Sequence, residues 1–106
     1  MAKLNLSPMA NDDLLSIKDY IKKELDNPTA AVNTLTKITK SFKLLVDFPL
    51  SGAPLASVVE IETDYRFVVS GNYMSFYRYI DDTVFVDRVL YARRDYMKIL
   101  FGDVEE

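Results

Sequence analysis

Tyr73–Phe101 reads YMSFYRYIDDTVFVDRVLYARRDYMKILF. Two runs rich in aromatic and β-branched residues flank Asp81-Asp82, the pattern of two strands joined by a tight turn. Just upstream, Tyr65–Ser70 reads as another strand, and Gly71-Asn72 supplies a two-residue turn of the primed type. Three antiparallel strands in a meander follow, with Val58–Glu62 as an edge strand or an extended link. Strict alternation puts Met74, Phe76, Arg78 and Ile80 on one face, with Tyr73, Ser75, Tyr77 and Tyr79 on the other. The same rule sets Val84, Val86, Arg88 and Leu90 against Phe85, Asp87, Val89 and Tyr91. After Arg93-Arg94, Asp95 can cap a short helix carrying Met97, Leu100 and Phe101.

The N-terminal half carries helix signals. Lys3–Leu6 alternates as a short strand. Ser7 then offers an N-cap and Pro8 a first helical position. Leu14, Ile17, Ile21 and Leu25 form one apolar face. Asp26-Asn27-Pro28 breaks this helix and starts another, whose stripe is Ala31, Leu35, Ile38, Phe42 and Leu45; Phe48-Pro49 ends it. The short link makes the two helices an antiparallel hairpin, and Leu50–Ser57 follows as a loop. The order β-αα-βββ-α gives an α+β class: an antiparallel sheet packed against an N-terminal helical hairpin, closed by a short C-terminal helix. The second sheet face is expected to be partly covered by the C-terminal segment and partly open to a partner. The tail from Gly102 to Glu106 is acidic.

One domain of 106 residues fits this plan, with 49% hydrophobic and 27% charged residues. No apolar run approaches the roughly 20 residues of a membrane span, and no secretory leader is visible, so the cytoplasm is the expected compartment. Cysteine is absent, which excludes disulfides and thiol chemistry. Histidine is absent too, which removes the commonest general base near neutral pH and the commonest metal ligand. No metal and no cofactor are expected. The net charge of −3 argues against non-specific nucleic-acid binding by the whole surface. All five arginines, however, fall between Arg66 and Arg94, while the lysines lie almost wholly elsewhere. Arginine presents a rigid fork of donors suited to phosphates, carboxylates and aromatic faces. A partly buried arginine needs an acid, so Arg78 or Arg88 is expected to pair with Asp87, Asp64 or Glu62.

From Gly71 to Leu100 the segments G-N-Y-M-S-F-Y-R, I-D-D-T-V and R-V-L-Y-A-R-R-D-Y-M-K-I-L resemble the meander and closing helix of the RelE/ParE superfamily of bacterial toxins. The resemblance extends over nearly the whole chain. It implies a small cytoplasmic toxin of a type II toxin–antitoxin pair, held inactive by a cognate antitoxin. RelE-like members cleave mRNA in the ribosomal A site; ParE-like members inhibit DNA gyrase and are not nucleases. On the RelE pattern, Arg66, Arg94 and Tyr96 take the catalytic places. The second-strand arginine of those nucleases falls on Met74, and the closing-helix tyrosine falls near Leu100, with Tyr96 displaced from it. The ending R-V-L-Y-A-R-R-D-Y-M-K-I-L looks like that of ParE. The ParE-like branch is therefore expected, with the ribosome-dependent nuclease, or a member serving only for binding or regulation, as alternatives. Arg78, Arg88, Tyr91, Arg93, Arg94, Asp95 and Met97 then become the residues implied in binding target or antitoxin.

Nuclease chemistry supports the same preference. Attack by a ribose 2′-hydroxyl needs proton transfers as well as charge stabilisation, and arginine supplies only the second. Tyrosine near pKa about 10 and aspartate near about 3.9 are poorly placed for the first at pH 7.

Overall fold

The computed structural model describes residues 2–102. The acidic tail expected beyond Gly102 lies outside the described residues. The chain begins with β1 (Lys3–Leu6), whose end runs directly into α1 (Pro8–Asp19). The Ser7 side chain accepts a hydrogen bond from the Ala10 amide at 2.9 Å, and Pro8 occupies the first helical position. The helical path then widens into a π turn, Tyr20–Glu24. Asn27 caps α2 (Pro28–Asp47) by accepting from the Ala30 amide at 3.0 Å. These are the expected starts, each satisfying a donor that the first helical turn leaves open.

The π turn is where the apolar stripe of the first helix departs from its expected course. Ile17 and Ile21 are buried, yet Leu25 is exposed. An i→i+5 turn, marked by the Leu25 amide reaching the Tyr20 carbonyl, holds one more residue than an α turn. That extra residue carries Leu25 out of the stripe.

Within the expected loop after α2 lie a two-residue strand, β2 (Ala53–Pro54), and a 3-10 turn, Leu55–Ser57. The meander follows as β3 (Arg66–Ser70), β4 (Tyr73–Ile80) and β5 (Thr83–Tyr91), then α3 (Tyr96–Phe101). The edge strand is thus β2, pairing antiparallel with β3, and Val58–Glu62 forms no strand. The sheet order is β1-β5-β4-β3-β2. The expected antiparallel meander is present, and β1 joins it in parallel along β5.

One irregularity reassigns the faces of β5. Arg88 lies opposite Phe76 and Val86 opposite Tyr77, leaving Asp87 as an extra residue on the strand. Such a bulge breaks simple alternation. Val84, Val86 and Val89 all face the helices, packed with Tyr77, Ile17, Ile38, Phe42 and Leu45. Leu90 faces the other way, with Met74, Phe76 and Leu55. The sequence reading had placed Leu90 with Val84 and Val86, and Val89 opposite. It missed the added residue because a bulge leaves no mark in hydrophobic periodicity. The second face is covered as expected by the C-terminal helix: Tyr96, Ile99, Leu100 and Phe101 pack on it.

Tyr77 is fully buried, and its hydroxyl holds the loop after α2. It donates to the Pro49 carbonyl at 2.7 Å and accepts from the Gly52 amide at 3.0 Å. A Cβ at Gly52 would lie 2.5 Å from that hydroxyl and 2.8 Å from the Phe67 carbonyl, so only glycine lets the loop approach.

The β4–β5 turn carries Asp81 at φ 50° and Asp82 at φ 59°, both left-handed, as a type I′ turn requires. Glycine occupies the second of these positions at lower cost than aspartate. Asp82→Gly is expected to raise stability by about 1 kcal/mol. An unchanged or lower midpoint in thermal unfolding would show instead that the exposed Tyr79 hydroxyl bond to Asp82, 3.1 Å, holds the turn.

Candidate functional site

The five arginines divide into three that are engaged within the fold and two that are not. Arg66 donates to the carbonyls of Leu50 at 3.2 Å and Gly52 at 2.6 Å, clasping the loop that Tyr77 also holds. Arg78 meets Asp87 through Nε and a terminal nitrogen, both at 3.1 Å, and lies over the Tyr65 ring at 5.3 Å from its centroid. Asp87 was among the expected partners.

Arg88 pairs with Asp13 of α1, an acid that sequence spacing did not single out. The two are 75 residues apart, and only the fold brings them together. The contact is bidentate, at 2.8 and 2.9 Å, and Asp13 also accepts the Val89 amide at 2.9 Å. Both side chains are mostly buried, at 17% and 13% exposure. The hydrogen bond to Asp13 raises the Arg88 pKa above its ordinary value despite the opposing effect of burial.

Arg93 and Arg94 are exposed, and among the described residues neither guanidinium has a hydrogen-bond or ion-pair partner. Their backbone is fixed. The Ala92 amide bonds the Asn72 carbonyl at 2.8 Å, the Arg94 amide the Tyr91 carbonyl at 2.9 Å, and the Tyr96 amide the Arg94 carbonyl at 2.8 Å. Asp95 next to the pair turns its carboxylate to the helix, accepting from the Lys98 amide at 3.3 Å. Met97 is half-buried on α3. Tyr96 packs its ring against Phe76, with centroids 5.2 Å apart.

Beside the pair a cleft of about 640 Å³ opens between the end of α1, the π turn, the start of α2 and the end of β5. Tyr20, Tyr73, Tyr91 and Leu25 line it, with Arg94 on its lining as well. Tyr73 and Tyr91 meet edge to face at 5.8 Å. Tyr20 and Leu25 are each more than half exposed. Asp13 also borders the cleft, already matched by Arg88, so the unmatched charge there is positive. The sequence reading named Tyr91 and Arg94; it missed the cleft because Tyr20 and Leu25 reach it through the π turn.

The three residues placed in the nuclease pattern have different surroundings in the structure. Arg66 clasps a loop, Tyr96 is half-buried against Phe76, and Arg94 stands on the turn before α3. The resolved tyrosine shifts run away from neutrality. Burial raises the pKa of Tyr73 and of Tyr77. Burial and the hydrogen bond to Asp87 push Tyr65 up to about 12. Among the described residues no group of three acids could hold a metal ion, and no helix is long and apolar enough to cross a membrane.

Residues 4–96 match the family model for the ParE toxin of the type II toxin–antitoxin system parDE. The chain belongs to the ParE toxin family. Solved structures of similar fold include the chromosomal ParDE toxin–antitoxin system from P. aeruginosa, with a TM-score of 0.72 and 21% identity over 88% of this chain and 98% of that one. The intact E. coli RelBE toxin–antitoxin complex gives a TM-score of 0.55 and 18% identity over 89% of this chain and 100% of that one. YafQ from E. coli strain BL21(DE3) gives 0.55 and 16% over 96% and 100%. No curated protein matches this chain. The family assignment agrees with the RelE/ParE resemblance of the sequence and with its ParE-like side.

Two measurements check the engaged arginines. Asp13→Ala leaves Arg88 mostly buried without its carboxylate and is expected to cost about 3 kcal/mol in urea unfolding. Asp13→Leu combined with Arg88→Met should recover most of that loss; a single-variant cost below about 0.5 kcal/mol would show that solvent replaces the pair.

The Tyr65–Asp87 hydrogen bond predicts a pH effect. Tyr65 holds its proton more tightly when folded than at its ordinary value near 10, so its contribution is complete below about pH 10. That contribution fades as pH rises from about 10 towards 12. The stability difference between the natural chain and Tyr65→Phe should therefore shrink across that window. A difference constant to pH 12 would refute the coupling.

Proposed function

We propose that the chain is a ParE-type toxin that arrests growth by binding DNA gyrase through the surface around Arg93-Arg94, and that a cognate antitoxin silences it. The observation that carries this reading is the division of the arginines. Arg66, Arg78 and Arg88 are spent on the fold, and the pair that has no partner among the described residues stands on a hydrogen-bonded turn, with Arg94 on the lining of a cleft. Such a surface binds. Cleavage of RNA demands proton transfer beside a charge-stabilising cluster, and the chain has no histidine to supply it. Met74, where the resemblance to RelE-like nucleases calls for arginine, is buried under the C-terminal helix and points to the same conclusion.

The cleft suits the antitoxin. Its tyrosines and aliphatic side chains offer apolar area, and Arg94 offers charge to an acidic residue of the incoming segment. The ParDE and RelBE structures of similar fold are themselves toxin–antitoxin systems.

Purified protein is expected to inhibit supercoiling by gyrase in vitro and to leave mRNA on translating ribosomes intact. Arg93→Ala with Arg94→Ala should abolish growth arrest while shifting stability by less than about 0.5 kcal/mol, because neither side chain has a partner among the described residues. Codon-phased mRNA cleavage with supercoiling unaffected would overturn the proposal in favour of a nuclease.

A further inference from the structure

We infer that the Arg93-Arg94 turn is a phosphodiester-binding element, so that the chain engages duplex DNA and not only protein at its target. The inference rests on the reading of this pair as target-facing and adds the chemistry that it recognises. Two adjacent guanidiniums carry two full charges on one fixed turn. The backbone bonds from Ala92 to Asn72, from Arg94 to Tyr91 and from Tyr96 to Arg94 hold that turn at 2.8–2.9 Å, so little backbone entropy is lost when the pair meets a ligand.

Among the described residues, the acid next to the pair and the two acids that hold Arg78 and Arg88 are engaged elsewhere. Asp95 caps the Lys98 amide, Asp13 binds Arg88, and Asp87 binds Arg78 and Tyr65. The pair therefore looks outward. A single protein carboxylate satisfies one guanidinium fork. Duplex DNA carries one negative charge per roughly 1.7 Å of axis, dense enough to engage both forks at once. Phosphate oxygens also accept bidentate hydrogen bonds from arginine, with shorter and stronger contacts than neutral acceptors give.

Fluorescence anisotropy with a labelled 20-base-pair DNA duplex and a single-stranded RNA of the same length tests this at several salt concentrations. The full chain should bind the duplex, and Arg93→Ala with Arg94→Ala should weaken that binding at least tenfold at low salt. The slope of log affinity against log salt should flatten by about 2, since each phosphate contact contributes about 0.9. The charge-matched control Lys40→Ala with Lys43→Ala, on the exposed face of α2, should bind as the natural chain does. Circular dichroism and thermal unfolding of the arginine variant should match the natural chain.

Equal losses in the arginine and lysine variants would overturn the inference by showing only diffuse attraction. Arginine-dependent binding to RNA alone would overturn the duplex assignment. Gyrase inhibition that survives the arginine double variant would overturn this inference and the part given to the pair in the proposed function, while leaving gyrase as the target. Arginine-dependent DNA binding without any effect on gyrase would do the reverse.

Discussion

The extra residue in β5 is the constraint on which the rest of the structure depends. Because Asp87 has no counterpart on β4, Asp87 and Val89, two residues apart, serve opposite faces of one sheet. Asp87 gathers Arg78 and Tyr65, and Tyr65 in turn meets the Phe101 ring edge on at 5.8 Å. Arg88 reaches Asp13 and ties α1 to the strand. A regular strand would send Asp87 and Val89 to the same face, and one of them would be misplaced. Either a carboxylate would enter the apolar layer under the helices, or a valine would leave it. Burying an unpaired carboxylate costs several kcal/mol, so the bulge lets one short strand carry both a continuous core and two ion pairs.

The same strand explains how α1 replaces a missing sheet partner. β1 pairs with β5 only from Thr83 to Val86. Beyond that, Ser7 donates to the Asp87 carbonyl at 2.7 Å and Asp13 accepts the Val89 amide at 2.9 Å. Side chains of the helix thus finish the edge that the first strand leaves open, as buried backbone groups require. Past Val89, among the described residues, no side chain of α1 bonds the strand, and there the cleft opens between them, with Arg94 of the following turn on its lining. The cleft exists because the first strand is short and the first helix ends in a wider turn.

Much of the fold was legible because it is written in local signals. Ser7-Pro8, Asn27-Pro28 and Asp95 are caps whose chemistry acts within three residues, and each start falls where the sequence placed it. The stripe from Ala31 to Leu45 and the aromatic strand from Tyr73 to Ile80 follow from periodicity alone. The failures have two causes. The bulge at Asp87 and the Arg88–Asp13 pair join segments far apart in the chain, and no local window contains them; the π turn at Tyr20 leaves no mark in the apolar spacing. Within the candidate site, the concentration of arginine was visible, but its division into engaged and unengaged members was not. Whether an arginine is free depends on where the acids land, and Asp13 lies 75 residues from Arg88.

Charge works on two scales here. The chain as a whole is negative, at −3, so a polyanion approaching from afar meets weak repulsion. At physiological salt that far field is screened within about 8 Å. Inside this distance the local arrangement decides, and around the turn before α3 it is two uncompensated guanidiniums. A surface of this kind binds free phosphodiester measurably at low salt but weakly at physiological salt, because two contacts are few and the long-range field does not assist encounter. It gains when another contact brings the phosphate close, since the second interaction then proceeds at a high effective concentration. A target that presents protein and nucleic acid together supplies both contacts, whereas free nucleic acid supplies only the phosphate. On the proposed reading, two arginines without an ion-pair partner among the described residues of an otherwise acidic domain suit a nucleoprotein target.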